Sequence, residues 1–162
     1  MNIDKCDIAI QKADYKDLPA ILAIQKSAFL EEAKFYDDYQ IPPLTQSIDE
    51  IEKDYQDHLF LKAMYQGQIV GSVKLREQNS SCWLGRLIVS PEFQNRGIGR
   101  KLLTEAEAQI TTAKELILFT GSQSTRNINL YESVGYKKIE EYADENNPNL
   151  ILVKMIKSIP EQ

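Results

Sequence analysis

Leu87-Ile88-Val89-Ser90-Pro91-Glu92-Phe93-Gln94-Asn95-Arg96-Gly97-Ile98-Gly99 carries an apolar run through a proline turn onto the start of a helix. Trp83 to Val89 is nearly unbroken apolar, as a strand covered on both faces would be, and Pro91 ends it. From Gly97 to about Ala113, the residues Gly99, Leu102, Leu103, Ala106 and Ile110 recur on one face, which predicts an amphipathic helix. A helix N-terminus exposes unpaired N–H groups and about half a positive charge, so the turn from Pro91 to Gly99 is a prospective anion site. Gly97 and Gly99 have no Cβ to hold a pyrophosphate off, and Arg96, Arg100 and Lys101 can neutralise it or a further phosphate. The same glycines also suit a plain tight turn with solvated cations. The spacing matches neither Gly-x-x-x-x-Gly-Lys-Ser/Thr nor Gly-x-Gly-x-x-Gly, whose third glycine would fall at Leu102.

Downstream, Leu116 to Thr120 is a second apolar strand, Ser124 or Thr125 can cap a helix to Ser133, and Gly135 closes it. Lys137 to Tyr142 and Leu150 to Ile156 flank Asn146-Asn147-Pro148-Asn149 and predict a final hairpin. Upstream, Leu59 to Tyr65 and Ile69 to Leu75 flank Gln66-Gly67-Gln68 and predict another. Ile8 to Ala13 alternates as a half-buried strand does, Asp17 with Pro19 opens a helix to about Leu30, and Ser47 with Glu50 is a capping box for a helix through about Asp57. Strand, helix, strand, helix in the middle implies a parallel βαβ unit within antiparallel surroundings. The expected fold is therefore α/β (α+β): one mixed sheet of about seven strands, a central parallel pair and helices on both faces. No linker, repeat or low-complexity tract divides it, so residues 1–162 are expected to form a single domain.

The composition agrees, with 43% hydrophobic and 27% charged residues over 162 positions. Net charge is −5, and nine acidic residues against two basic ones fall between Glu31 and His58. That balance excludes nucleic acid, whose phosphates call for clustered Lys and Arg. Cys6 and Cys82 have no Cys or His at ligand spacing, so neither a disulfide framework nor a metal site is expected. Met1 to Ile10 interleaves Asp4, Lys5 and Asp7 with apolar residues, and no apolar run nears the ~20 residues of a membrane span, so the expectation is a soluble, cytoplasmic protein.

The quoted stretch resembles the coenzyme-binding motif of the GNAT N-acetyltransferase superfamily, Gln/Arg-x-x-Gly-x-Gly/Ala. Gln94, Gly97 and Gly99 fill its defining positions. Asn127-Ile128-Asn129-Leu130-Tyr131-Glu132-Ser133-Val134-Gly135-Tyr136 is similar to the family's Leu-Tyr-x-x-x-Gly-Phe/Tyr signature, and the element order matches from about Ile8 to Ile156. The resemblance implies transfer of an acetyl group from acetyl-coenzyme A to a primary amine of a small molecule or peptide, by direct attack and without a metal. It implies a coenzyme site from Leu87, Ile88, Val89, Gln94, Asn95, Arg96, Gly97, Ile98, Gly99, Arg100, Asn127 and Tyr131. Within it the Val89 N–H would meet the thioester carbonyl, and Tyr131 would protonate the leaving thiolate, although an aromatic on that helix also suits packing.

Many family members carry a glutamate base on the strand ahead of the turn. Here that strand reads Cys82-Trp83-Leu84-Gly85-Arg86-Leu87, so the base is open among Glu31, Glu32, Asp37, Asp38, Glu77 and water. The acidic segment, with Tyr36 and Tyr39, favours a cationic acceptor. A non-catalytic acyl-coenzyme A binding module is the alternative, and a homodimer is compatible with either. His58, Cys82 and Trp83 are read as a helix end and strand packing.

Overall fold

A computed structural model describes residues 7–160; Cys6 and the residues before it lie outside that range. Strand β1 (Ile8–Lys12) pairs antiparallel with β2 (Leu59–Tyr65), which turns through Gln66 and Gly67 into β3 (Gln68–Gln78). Both turn residues have positive φ, 48° and 78°, the backbone twist that a two-residue hairpin requires. A second such turn, Asn79 and Ser80, joins β3 to β4 (Ser81–Val89). The sequence stops these strands at Leu75 and Trp83 because the polar residues between carry no apolar alternation. They are nonetheless paired to the turn, Gln78 facing Ser81.

Helix α1 (Leu18–Tyr36) follows β1 and begins with Asp17 at the N-cap and a proline in its first turn. It runs six residues past the expected end at Leu30, stopping where Asp37 takes a left-handed conformation. Glu31 and Glu32 therefore belong to the helix and not to a loop. The proline pair then opens a short helix α2 (Pro42–Thr45), and α3 (Ile48–Asp57) carries the expected Ser47 and Glu50 capping box.

Helix α4 (Ile98–Ala108) links β4 to the parallel strand β5 (Glu115–Gly121). It ends five residues before Ala113, although Ile110 and Ala113 keep the apolar period. Glu77 on β3 explains the difference: its carboxylate accepts the N–H groups of Thr111, Thr112 and Ala113, and the Thr111 hydroxyl at 2.9 Å. Three amides drawn to one side chain cannot continue a helix. Burial works to raise the Glu77 pKa, but the amides of Ala113 and Thr112 outweigh it and hold the carboxyl below its usual value. A depressed folded pKa stabilises the fold above the unfolded value and loses that contribution as pH falls through the folded one. Glu77→Gln is thus expected to lower the denaturation midpoint at pH 7, the difference from wild type closing below pH ~4.

Helix α5 (Thr125–Ser133) and the strands β6 (Lys137–Ala143) and β7 (Ile151–Ser158) complete the chain, giving the order β1-β2-β3-β4-β5-β7-β6. On one face Leu18 and Ile21 of α1 pack with Ile51 of α3 on Phe60 and Ile88. On the other, Ile98, Leu102 and Leu103 of α4 and Ile128 and Tyr131 of α5 pack on Leu61, Val73 and Leu116. The mixed sheet, its parallel pair and the helices on both faces are as expected. The parallel strands are not buried on both faces, however. Trp83 and Phe119 stack at 5.9 Å on the α1 and α3 side while remaining 39% and 41% exposed, because neither helix reaches that far across the sheet.

Candidate active site

The site begins where two neighbouring strands part. β4 and β5 are paired only from Ser81–Glu115 to Trp83–Ile117, whereas β4 stays paired with β3 as far as Val89 and Gly71. Between Ser72 and Lys74 the β3–β4 register shifts, and Arg86 opposite takes a positive φ of 50°. Such a bulge bends its strand, and here it turns β4 away from β5. Beyond it, the Ser90 N–H donates to Val70 O at 2.8 Å, toward β3. Peptide groups alternate along a strand, so those of Val89 face the gap left by β5. The Gln94 amide donates to the Val89 carbonyl at 3.1 Å and ties the following turn to the strand end.

That turn shapes the first cavity. After a 3-10 turn at Pro91–Phe93, Asn95 and Gly97 take left-handed φ of 64° and 81°, and α4 starts one residue later. At Gly97 a Cβ would be strained, which accounts for the glycine. Gly99 serves close approach instead, since a Cβ there would lie 3.3 Å from Leu130 of α5. The first turns of α4 and α5 both border the resulting cavity, of about 750 Å³, so two sets of helix N-terminal N–H groups reach it. Arg100 and Arg126 add positive charge at its wall. Leu87, Ile88, Val89, Gln94, Asn95, Gly97, Ile98, Gly99, Arg100 and Asn127 all line it, whereas Arg96 does not.

A second cavity of about 340 Å³ lies within the strand gap and shares Phe29, Glu32, Leu87 and Asn127 with the first. Tyr131 lines this inner cavity, not the outer one, and its ring meets Tyr136 edge to face at 5.9 Å. Burial pushes the Tyr131 phenol well above its usual pKa, with the charge of Glu32 adding to it. The phenol therefore stays protonated at neutral pH. Glu32 receives the Ser124 hydroxyl at 2.6 Å, so the serine expected to cap α5 binds this carboxylate instead. Beside it, the Tyr36 hydroxyl receives the Gln123 N–H at 2.9 Å and lies against Gly121. A Cβ at Gly121 would overlap that hydroxyl, so Gly121→Ala is expected to cost about 1–3 kcal/mol, measurable by denaturant unfolding.

The five carboxylates expected as candidate bases separate sharply. Glu32 alone among them lines both cavities. Glu31 lies at the rim of the outer cavity and pairs with Lys34 at 3.1 Å. Asp37 ends α1 on the exposed side, and Asp38 receives the Asn147 amide, fastening α1 to the β6–β7 connection. Glu77 is engaged in the turn after α4, and Tyr39 is exposed and lines neither cavity. Phe29, Glu32 and Tyr36 share one α1 face, at steps of three and four residues, a signal hidden by ending the helix at Leu30. Arg126 in the first turn of α5 and Arg86 carried no motif to mark them. Cys82 is fully buried, and burial with the nearby Glu77 charge pushes its thiol up to about 11, so it stays a thiol at neutral pH. Among the described residues no group of three or more His, Cys, Asp or Glu is placed to hold a metal, and no helix is long and apolar enough to cross a membrane.

Comparison with known proteins extends the same pattern. An uncharacterized N-acetyltransferase of Chlorobaculum tepidum is 34% identical over 105 residues, 60% of this chain and 61% of that protein. The Bacillus subtilis protein YqkA is 26% identical over 120 residues, 74% of this chain, and the chain spans only 34% of it. The ribosomal-protein-alanine N-acetyltransferase of Brucella melitensis superposes with a TM-score of 0.74 at 25% identity, covering 93% of this chain and 99% of that one. The PaiA N-acetyltransferase of Thermoplasma acidophilum, solved with coenzyme A, has a TM-score of 0.70 at 23% identity over 94% of this chain and 99% of its own. Residues 24–159 match the acetyltransferase (GNAT) domain family, and the chain belongs to that family.

Proposed function

We propose that the protein transfers an acetyl group from acetyl-coenzyme A to a primary amine of a small molecule or peptide by direct attack. The observation that carries this reading is one opening between β4 and β5. At its mouth lies a cradle of helix N-termini and arginines, and inside it a buried tyrosine and a carboxylate converge. The outer cavity fits the coenzyme's phosphates, with N–H groups from Gln94 to Gly99 and Arg100 and Arg126 as ligands. Asn127 borders both cavities, which supports a bond from it to the pantetheine amides, and the coenzyme supplies an activated acyl thioester.

The chain's own groups divide the remaining work. An alkyl amine has a pKa of about 10.4 and arrives protonated, so Glu32 takes one proton before attack, and the freed lone pair then forms the N–C bond. The Val89 N–H stabilises the charge that gathers on the acyl oxygen. As the C–S bond breaks, Tyr131 gives its proton to the departing sulfur, leaving a free thiol, and the second proton shed by the acylated nitrogen restores the phenol. Tyr131 is fitted to donate, because its raised pKa keeps the proton available.

The test is release of free thiol from acetyl-coenzyme A over a panel of primary amines, with the product weighed by mass spectrometry. One acetyl group gained on nitrogen per thiol released is the expected result. Coenzyme binding without thiol release on any amine would support the non-catalytic binding module instead.

A further inference from the structure

Among the described residues, Arg86 is the one arginine or lysine lining the inner cavity. It sits at the β4 bulge in a left-handed conformation that non-glycine residues adopt with strain, and such strain persists where the surroundings enforce it. Its Nε is buried with no hydrogen-bond partner among the described residues. An unpaired buried donor is costly unless something completes it.

The nearby counter-charge is already committed. Asp54 exerts an attractive charge on Arg86, but its carboxylate receives Lys74 at 2.9 Å and the Gln46 amide at 2.7 Å. Gln46 is held in turn by the buried Gln25, which also donates to Pro43 O at 3.0 Å. Two cations, Lys74 and Arg86, thus draw on Asp54, with Asp57 acting on Lys74 as well, and no carboxylate among the described residues bonds the Arg86 Nε. Burial lowers the pKa of both, first and foremost for each, so an added anion would relieve a real cost. The cavity's walls include the apolar Phe29, Ile41, Leu84, Leu118 and Leu152, and its two carboxylates are Glu32, where it meets the outer cavity, and Asp144.

Resting on the acetyl-transfer reading above, we propose that Arg86 binds a carboxylate on the acceptor, which is then an amino acid with an apolar side chain: carboxylate on Arg86, apolar body on the cavity walls, amine toward Glu32. A guanidinium matches a carboxylate with two parallel N–H donors, which gives direction as well as charge. Of the acidic residues that favoured a cationic acceptor in the sequence, Glu32 lines this cavity, whereas Glu31, Asp37 and Asp38 do not.

The experiment compares L-leucine, L-leucinamide and isoamylamine, which share an apolar body and an amine and differ in the carboxylate. Two readouts are taken on the full chain: thiol release from acetyl-coenzyme A, and calorimetric binding in the presence of coenzyme A. Leucine is expected to be preferred over leucinamide by about tenfold or more in kcat/KM and in affinity, as loss of a charged hydrogen-bonding partner predicts. In Arg86→Gln that ratio should fall toward one, and Arg86→Lys should restore part of it, with thermal unfolding showing that both variants fold. Equal use or binding of leucine and leucinamide by the wild type overturns the proposal, as does an Arg86→Gln variant that keeps the preference. Were leucine bound through Arg86 while no amine released thiol, the carboxylate site would stand and the acetyl-transfer reading would fall.

Discussion

Tyr131→Phe is expected to lower kcat for thiol release by about 10²–10⁴-fold, the usual contribution of a placed general acid. Phenylalanine keeps the edge-to-face contact with Tyr136 and the packing of α5 on the sheet, so fold and melting temperature should change little. Coenzyme affinity should also hold, because Tyr131 lines the inner cavity and not the phosphate cradle. A pH profile adds a second constraint. The folded phenol titrates above its ordinary value near 10, so the acid form persists as pH rises through neutrality. Tyr131 should therefore impose no alkaline fall in rate below about pH 10 in the wild type. Unchanged turnover in Tyr131→Phe would return the residue to a purely packing role.

The second large effect belongs to Glu32. Glu32→Gln keeps the side chain's shape and its bond with Ser124 but cannot accept a proton, and kcat/KM is expected to drop about 10²–10³-fold near pH 7. The loss should shrink as pH rises toward the amine's own pKa, because an amine already neutral needs no base. Ser124→Ala separates chemistry from placement, since it removes the hydroxyl and leaves the carboxylate. A Ser124→Ala loss as large as that of Glu32→Gln, with no recovery at high pH in either, would make Glu32 a positioning residue.

The outer cavity of this candidate site was legible in the sequence because it is local. The cradle's glycines, its Gln94 and its helix start are contiguous, and Gly97 and Gly99 answer to a backbone angle and a helix approach within one turn. The strands and the parallel pair were legible for a similar reason, since apolar runs with turn residues between them report directly on burial. The inner cavity was not, because its groups meet only through tertiary structure. Glu32 is one acidic residue among nine in its segment until α1 is seen to run to Tyr36 and bring it against Ser124. Glu77 resembled a base candidate because its three amide partners lie more than thirty residues away in the chain. Arg86 carried no pattern at all; the register shift that aims it depends on how β3 and β4 pair.

These roles share one premise, that the thioester sits in the β4–β5 gap with its carbonyl on the Val89 N–H. A crystal structure of the protein with acetyl-coenzyme A tests it most directly. The account predicts the acyl oxygen at hydrogen-bond distance, about 3 Å, from Val89 N, the sulfur facing Tyr131, and the pyrophosphate on the amides from Gln94 to Gly99. A coenzyme bound outside the gap, or with its acyl group turned away from Val89 and Tyr131, would contradict it.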